Sequence, residues 1–557
     1  MQVGKVVKTV CAVLALGLML SATGNCAVSF FTCVGGASGM TLQLNPFASG
    51  GVQRGCAPKM MDITLLQKNT PPMTGTVKYA YTAARMKASD PAWSEPTGPW
   101  GPTQVKFTGD KSQCEIEYLK LSNGDILYAM CIRADSVLGL RFVVNRQFIY
   151  DFVTLKTGKP TFVDVNGNEI TDPDWTAVYN DIMSRLPANG GSGIPIEGGL
   201  SECYIDSGVK AIDRYNRLFP APPGGTSQPQ LNPANYTTTK DNLLAIAVLA
   251  IIYHKDIEVW TGGEPVNFTT QMERMISGGM VDNWDVFFGR DMGSNPHTPL
   301  LNFYREPLSG TGITYLNLIM RGLETSPNGT VIESGPVCAS DGVNYHRSGI
   351  PDLNCVVKPT DTCPGYKPGG GAVNNAVDLN PGSHAYTFLQ KFTPVTPPAL
   401  ENIRVGKFNG YEPYDFSQGN SLPGINGVPD VNFNTNTTYY KNVIDGKYPL
   451  WTYNHCFDAT NGASQNLADF VANFRLAANA PLVREVGLIA LDDMTTMAAT
   501  RTINPTGPNA NRGPGLGRCG FVSPITGEIV RDGMMFMLND SNAPDGLPGE
   551  GYVEMRP

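Results

Sequence analysis

The segment that decides the fold is LNFYREPLSGTG, residues 301–312. It begins in a short apolar run that predicts a β-strand, and it precedes residues 314–321, whose apolar spacing predicts a helix. A helix N-terminus presents backbone N–H groups without helical acceptors and a partial positive charge, so a small anion can bind there. Ser309 and Thr311 add hydroxyl donors, and Arg305 adds a planar guanidinium that can donate two hydrogen bonds to one oxyanion. The same hydroxyls also suit an ordinary helix N-cap, so the segment alone leaves both interpretations open.

Apolar runs on both sides of this segment predict alternating strands and helices. Residues 243–253 read LLAIAVLAIIY, a run too short to span a membrane, which predicts a strand buried on both faces as in a parallel sheet. Residues 268–277 and 466–478 have helical apolar spacing. Residues 141–145 and 148–153 are β-rich and predict strands. The chain is therefore expected to belong to the α/β class.

The composition excludes several classes of protein. Of 557 residues, 61 are Gly and 43 are Pro, 41% are hydrophobic and 16% are charged. This balance excludes a disordered chain or a long coiled coil and predicts loop-rich globular domains. The formal net charge is −8 and runs of Lys or Arg are missing, so we expect no nucleic-acid partner.

The N-terminus predicts export. Lys5 and Lys8 precede an apolar run at 10–20 that leads into small residues, the layout of a secretory signal peptide, which we place at 1–27. The protein is then periplasmic or extracellular. A lipoprotein acylated at Cys26 is an alternative.

Cysteine and histidine spacing bears on disulfides and metals. Ten cysteines follow the signal peptide, and an even count in an exported chain predicts disulfides whose connectivity the sequence does not give. The five histidines are scattered and no Cys-x-x-Cys occurs, so we expect neither a metal site nor a cofactor. The ten are Cys33, Cys56, Cys114, Cys131, Cys203, Cys338, Cys355, Cys363, Cys456 and Cys519.

Several segments, in this order, resemble the phosphate-binding protein of phosphate ABC importers. Residues 276–284, ISGGMVDNW, are similar to the family's Gly-x-[Val/Ile]-x-x-Trp turn, and residues 304–311, YREPLSGT, to its Arg-x-x-x-Ser-Gly-Thr anion loop. Residues 35–41, GGASGMT, resemble its first anion loop, and residues 190–193, GGSG, its second. The likeness covers roughly residues 30–495.

The resemblance implies a two-lobed periplasmic-binding-protein fold with a cleft between the lobes and loop-rich, disulfide-tied insertions. Lobe 1 would comprise 28–242 and 445–505 with an insertion at about 57–186, lobe 2 would comprise 243–444 with a Cys-containing insertion at about 323–385, and 506–557 would form a loop-rich tail.

The resemblance also implies a function without catalysis. The protein would capture a small oxyanion, most simply phosphate, between the lobes and deliver it to an ABC permease. The implied anion-binding residues are Arg305, Ser309, Gly310, Thr311, Ser38, Gly39, Thr41, Ser192, Gly193 and Asp213.

Departures from the family pattern leave other functions open. The family's Gly-x-Ser-Asp segment, whose aspartate accepts a proton from hydrogen phosphate, has no evident Ser-Asp counterpart at 206–213, where Asp213 is a shifted candidate. Met40 stands where the first loop usually offers a hydroxyl, and Pro307 replaces an acidic residue of the Arg loop. A structural or surface-interaction protein that has lost the ligand is the main alternative. A phosphate-ester hydrolase is a further one, because oxyanion cradles also serve phosphoryl chemistry.

Overall fold

The structure is a computed structural model. It describes residues 27–41, 54–82, 104–107, 113–152, 162–218, 228–277, 281, 283–288, 300–305, 308–319, 337–338, 345–346, 366–367, 370–389, 402–415, 440–445, 447–459, 464–493, 521–522 and 529–530.

Strands and helices alternate along much of the described chain. The strands are β1 (Val28–Ala37), β2 (Lys78–Thr82), β3 (Gln104–Phe107), β4 (Gln113–Lys120), β5 (Ile126–Ala134), β6 (Phe148–Phe152), β7 (Phe162–Val163), β8 (Ile194–Pro195), β9 (Gly198–Ser201), β10 (Lys240–His254), β11 (Asn267–Phe268), β12 (Leu301–Asn302), β13 (Tyr304–Arg305), β14 (Val337–Cys338), β15 (Tyr345–His346), β16 (Tyr366–Lys367), β17 (Ser383–Phe388), β18 (Ile403–Val405), β19 (Lys407–Phe408), β20 (Trp451–Asp458), β21 (Ile489–Ala490), β22 (Phe521–Val522) and β23 (Ile529–Val530). The α-helices are α1 (Ser38–Thr41), α2 (Cys56–Gln67), α3 (Ser136–Val144), α4 (Pro173–Arg185), α5 (Ile205–Leu218), α6 (Thr270–Ser277), α7 (Asp285–Phe288), α8 (Gly310–Ile319), α9 (Gly370–Leu379), α10 (Lys441–Ile444), α11 (Gln465–Phe474) and α12 (Ala480–Arg484).

One mixed sheet organises the fold. Its strand order is β12-β17-β10-β20-β9-β1-β5-β4-β2-β7, and β18 and β21 also pair with β10. Strand β1 runs parallel to both β5 and β9, whereas β10 runs antiparallel to β17, β18, β20 and β21. Helices pack against this sheet, so the predicted α/β class is confirmed.

Strand β10 is buried as predicted but paired differently. From Leu243 to His254 its residues are buried, in agreement with the apolar run. Its described neighbours are antiparallel, however, so the expectation of a parallel sheet at this strand is wrong. An apolar run reports burial on both faces, and an antiparallel strand covered on both faces has the same composition.

The strand predicted at 141–145 is instead the end of helix α3. All nine residues of α3 are buried, so its β-branched and aromatic side chains reflect burial rather than an extended backbone. The Asp135 carboxylate caps the helix by accepting the Leu138 N–H at 2.7 Å. The predictions of a strand near 148–153 and of helices near 268–277 and 466–478 are confirmed by β6, α6 and α11.

The segment predicted as an insertion, about 57–186, contributes to the main sheet. Strands β2, β4 and β5 belong to this segment, and β5 is paired along most of β1. The division into two lobes stays a prediction, as do the boundaries of the second insertion and the tail.

Glycines bring α3 and β9 unusually close together. A Cβ on Gly139 of α3 would overlap the carbonyl oxygen of Leu200 in β9, and a Cβ on Gly36 of β1 would overlap the same oxygen. Only hydrogen at these positions lets the helix start lie directly beside the strand end.

We expect Gly139→Ala to destabilise the protein by about 1–3 kcal/mol, although alanine is the better helix former, because the new methyl meets backbone that cannot move aside. The matched control is Gly371→Ala in α9, where a Cβ would meet nothing within 4 Å. In urea denaturation, the free energy of unfolding of Gly139→Ala should be lower than that of the wild type, and that of Gly371→Ala should equal or slightly exceed it. Equal stability of both variants would show that the α3–β9 contact is loose.

The cysteines with described side chains do not form disulfides. Six of them are buried free thiols: Cys33, Cys56, Cys114, Cys131, Cys203 and Cys456. Burial raises the pKa of Cys56 and of Cys203 to about 12, so these thiols are protonated and unreactive at neutral pH. Disulfides among the other four predicted cysteines remain a prediction that falls on residues whose side chains the structure does not describe.

No described helix is both long and apolar enough to cross a lipid bilayer. Residues 1–26, most of the predicted signal peptide, lie outside the described residues.

Candidate functional site

Three neighbouring parallel strands end at one edge of the main sheet. The pairing of β1 with β5 runs to Ala37 opposite Ala134, and that of β1 with β9 runs to Gly36 opposite Leu200. The residues that follow these strands are therefore neighbours, and the carboxyl edge of parallel strands is where open α/β sheets bind ligands.

The start of α3 meets the residue after β9. The Ser136 hydroxyl donates a hydrogen bond to Glu202 Oε2. Glu202 is 5% exposed, and its backbone carbonyl accepts a hydrogen bond from Thr452 Oγ1 at 3.2 Å. Helix α3 thus holds the carboxyl group of Glu202, and strand β20 holds its backbone.

The N-terminus of α8 faces the same carboxyl group. A Cβ on Gly310 would overlap both Ser136 Oγ and Glu202 Oε2, so the first residue of α8 lies directly against them. The first helical bond runs from Ile313 N–H to Ser309 O at 2.9 Å, which leaves three preceding N–H groups without an acceptor inside the helix. These N–H groups carry the positive end of the helix dipole.

Arg305 is fixed beside this helix start. Its Nη1 donates to Thr311 Oγ1 at 3.0 Å, and it lies on β13, which pairs with β16. A Cβ on Gly370, the first residue of α9, would lie 3.7 Å from Arg305 Nη1. The guanidinium therefore sits between the starts of α8 and α9, close enough to Glu202 for its charge to affect that carboxyl group.

Opposing effects set the charge of Glu202. Burial raises its pKa, and so does the negative charge of Asp135, whereas the Ser136 hydrogen bond and the positive charge of Arg305 lower it. The balance leaves the pKa above the ordinary glutamate value. A buried carboxyl group beside backbone donors and a guanidinium can accept a hydrogen bond from a ligand that still carries a proton.

The structure brings part of the predicted site together. Arg305, Ser309, Gly310 and Thr311 form one group, and all but Arg305 are buried. Their partners from the N-terminal part of the chain are Ser136 and Glu202.

The first predicted loop begins at the same sheet edge. Ser38 and Gly39 directly follow β1 and start α1, next to the end of β5. The Thr41 hydroxyl is fully buried and donates to Ala37 O at 3.2 Å and to Gly36 O at 3.4 Å, so its described hydrogen bonds go back to the end of β1.

The second predicted loop has another structural role. Gly193 N–H donates to Arg185 O at 2.8 Å and Gly191 N–H to Leu186 O at 3.1 Å, so this glycine-rich turn caps the end of α4. Ser192 between them is exposed. Asp135 and Ser136 directly follow β5, the parallel neighbour of β1, and so lie at the sheet edge that residues 190–193 do not reach by their described hydrogen bonds.

Asp213 lies on an exposed position of α5 and accepts a hydrogen bond from Gln230 Nε2. The carboxyl group that lies against the N-terminus of α8 is that of Glu202. A sequence signal for it exists, because Gly199-Leu200-Ser201-Glu202 is a Gly-x-Ser-acid segment with glutamate in place of aspartate. No comparable motif marks Ser136 in the sequence, because its place beside Glu202 depends on the pairing of β5 with β1.

Metal ligands do not cluster in the described part of the chain, where no group of three or more His, Cys, Asp or Glu could hold an ion. His384 and His455 each pair with one carboxylate, Glu273 at 2.9 Å and Asp241 at 2.8 Å.

Comparison with solved structures finds likeness to phosphate-binding proteins. An ABC-type phosphate transport receptor from Vibrio cholerae is 14% identical, over 45% of this chain and 72% of that one, with a TM-score of 0.27. A high-affinity periplasmic phosphate-binding protein with bound phosphate is 16% identical over 57% and 80% of the two chains, with a TM-score of 0.28. A human phosphate-binding apolipoprotein is 12% identical over 57% and 83%, also with a TM-score of 0.28.

At these values the likeness is distant and concerns the fold alone. No protein-family model matches the chain, and no curated protein matches it in sequence.

Proposed function

We propose that this protein is a solute-binding protein that captures a small, partly protonated oxyanion, with phosphate as the ligand. The observation that carries the proposal is the contact of the α8 N-terminus with Glu202 and Ser136. Backbone N–H groups and Arg305 supply donors for the anionic oxygens, and Glu202 supplies an acceptor for a hydroxyl of the anion. This combination needs no cofactor and no reacting side chain.

The acceptor selects among oxyanions. Hydrogen phosphate has a proton to donate to Glu202, whereas sulfate at neutral pH has none and would face the carboxylate with unpaired lone pairs. A buried acceptor of this kind can therefore reject sulfate while the donors around it bind phosphate.

The wider proposal follows from the same site. The chain would be exported, its two lobes would be 28–242 with 445–505 and 243–444, and an ABC permease would receive the ligand. Isothermal titration of the full mature chain with phosphate and with sulfate at pH 7 tests whether the protein binds phosphate and rejects sulfate. We expect heat of binding with phosphate only. No heat with either anion would contradict the proposal and favour a structural or surface-interaction role.

We expect Gly310→Ala to weaken phosphate binding at least about tenfold, because its methyl group would displace Ser136 Oγ and Glu202 Oε2 from the helix start. The methyl group would also lie 2.8 Å from Ser136 Cβ, which cannot rotate away, so urea denaturation of the same variant should show a loss of stability beside the loss of affinity. Gly371→Ala, which meets nothing within 4 Å, is the matched control and should bind as the wild type does. Unchanged affinity of Gly310→Ala would place the ligand elsewhere.

A further inference from the structure

A closed ring of buried hydrogen bonds lies beneath the candidate site. It joins helix α6, strands β12, β13 and β17, and helix α8. All its members are at most 5% exposed: Glu273, Ser277, Asn302, Tyr304, Tyr315 and His384.

One arm of the ring ties α8 to Glu273 in α6. The Tyr315 hydroxyl donates to Glu273 Oε2 at 2.7 Å, and the Ser277 hydroxyl is bonded to the Tyr315 hydroxyl. Because Tyr315 already donates to the carboxylate, Ser277 is the donor in that second bond. The Tyr315 ring also stacks on Tyr386 of β17, with centroids 3.9 Å apart and planes 6° apart.

The other arm ties β13 to the same carboxylate. His384 Nε2 lies 2.9 Å from Glu273 Oε1, and His384 Nδ1 lies 2.9 Å from Asn302 Oδ1. The Asn302 amide group donates to the Tyr304 hydroxyl, which lies 3.5 Å from Ser277 O. The amide nitrogen of Asn302 faces Tyr304, so its oxygen faces His384 and accepts from Nδ1–H. The contact between His384 Nε2 and Glu273 Oε1 also needs a proton between the two atoms, because a carboxylate oxygen can only accept.

The two arms end next to the anion-binding groups. Tyr304 directly precedes Arg305, and Tyr315 lies on the same helix as Gly310 and Thr311, little more than one turn further along. A single buried carboxylate, that of Glu273, thus connects to the element carrying the guanidinium and to the element carrying the backbone donors.

We infer that Glu273 and Tyr315 are positioning residues of the anion site, which set the distance between Arg305 and the α8 N-terminus without touching the ligand. The inference rests on the proposed function. A polar ring in which every described member has a partner admits one arrangement, whereas apolar packing in the same place would allow small shifts and rotations of α8. Charge-assisted donors must meet an oxyanion within a few tenths of an ångström, so such shifts reduce affinity.

The test removes one hydroxyl and compares it with a matched one. Tyr315→Phe keeps the aromatic side chain and its stacking on Tyr386, but it removes the hydrogen bond to Glu273 and the one from Ser277. The control is Tyr253→Phe in β10, another fully buried tyrosine with two hydrogen bonds, to Glu258 Oε1 at 2.8 Å and from Val266 N–H at 3.1 Å. Both variants lose a similar number of hydrogen bonds and should therefore show a similar fall in the urea concentration at the midpoint of unfolding.

Affinity separates the two roles. Titration with inorganic phosphate should show roughly tenfold weaker binding for Tyr315→Phe and less than about twofold change for Tyr253→Phe. Glu273→Gln, which can still accept from Tyr315 and donate to His384 Nε2, should retain most of the phosphate affinity and so act as the conservative variant.

Each outcome has one meaning. Wild-type affinity in Tyr315→Phe, or equal losses in the two tyrosine variants, would overturn the positioning role while leaving the phosphate site intact. If the wild type itself gives no heat with phosphate, the proposed function fails and the inference fails with it.

Discussion

Arg305→Ala is expected to weaken phosphate binding by at least about 100-fold. The guanidinium is held in place by Thr311 and lies beside the N-terminus of α8, so it can donate charge-assisted hydrogen bonds to an oxyanion at the helix start. Each such bond contributes about 1.5–3 kcal/mol, and tenfold in affinity corresponds to about 1.4 kcal/mol. Isothermal titration with phosphate measures the loss.

Arg404→Ala is the matched control for this variant. Arg404 is also a half-buried arginine on a short strand, β18, and its Nε lies 3.6 Å from Glu258 Oε2. We expect its removal to leave phosphate affinity within about twofold of the wild type, since a partly exposed ion pair contributes little and lies on another strand. The phosphate affinity of Arg305→Lys should lie between those of the wild type and Arg305→Ala, because an ammonium group keeps the charge but cannot donate two parallel hydrogen bonds. Phosphate binding insensitive to Arg305→Ala would disprove the site assignment.

Glu202→Gln is expected to allow the proposed phosphate site to bind sulfate as well. The amide can donate where the carboxylate could only accept, so sulfate no longer faces an unpaired acceptor. Phosphate should bind about tenfold to 100-fold more weakly, and sulfate should become measurable in the same titration. Glu202→Asp, which keeps a carboxylate on a shorter side chain, should keep sulfate excluded.

The raised pKa of Glu202 gives this selectivity a pH dependence. A carboxyl group with a raised pKa becomes protonated at a higher pH than an ordinary glutamate, and the protonated form can donate to sulfate. Sulfate binding to the wild type should therefore appear as the pH falls, and it should be nearly independent of pH in Glu202→Gln. Sulfate exclusion at every pH in both proteins would contradict the assigned role of Glu202.

The sequence predicted the elements whose signal is local. The apolar run at 243–253 predicted the buried strand β10, and residues 301–312 predicted a strand that leads into a helix with Arg305 before it. The helix predicted at 314–321 begins four residues earlier, at Gly310. In both cases the residues that carry the signal are contiguous in the chain. The direction of pairing of β10 was not predictable, because composition reports burial and not the partner strand.

The N-terminal half of the site depends on contacts between distant segments. Ser136 and Glu202 meet because β5 and β9 both run parallel to β1, and the sequence gives no register for that pairing. Residues 190–193 resemble an anion loop, but their N–H groups cap α4. A glycine-rich turn that binds an anion and one that caps a helix have similar sequences, because both need backbone that approaches other atoms closely or has a positive φ.

The most direct test of the central claim is a crystal structure of the mature chain grown with arsenate, which replaces phosphate and can be located by its anomalous scattering. One strong arsenic peak is expected at the N-terminus of α8, beside the Glu202 carboxyl group and within hydrogen-bonding distance of the backbone of Gly310 and of Arg305. An arsenic peak at any other place, or an empty site at millimolar arsenate, would contradict it.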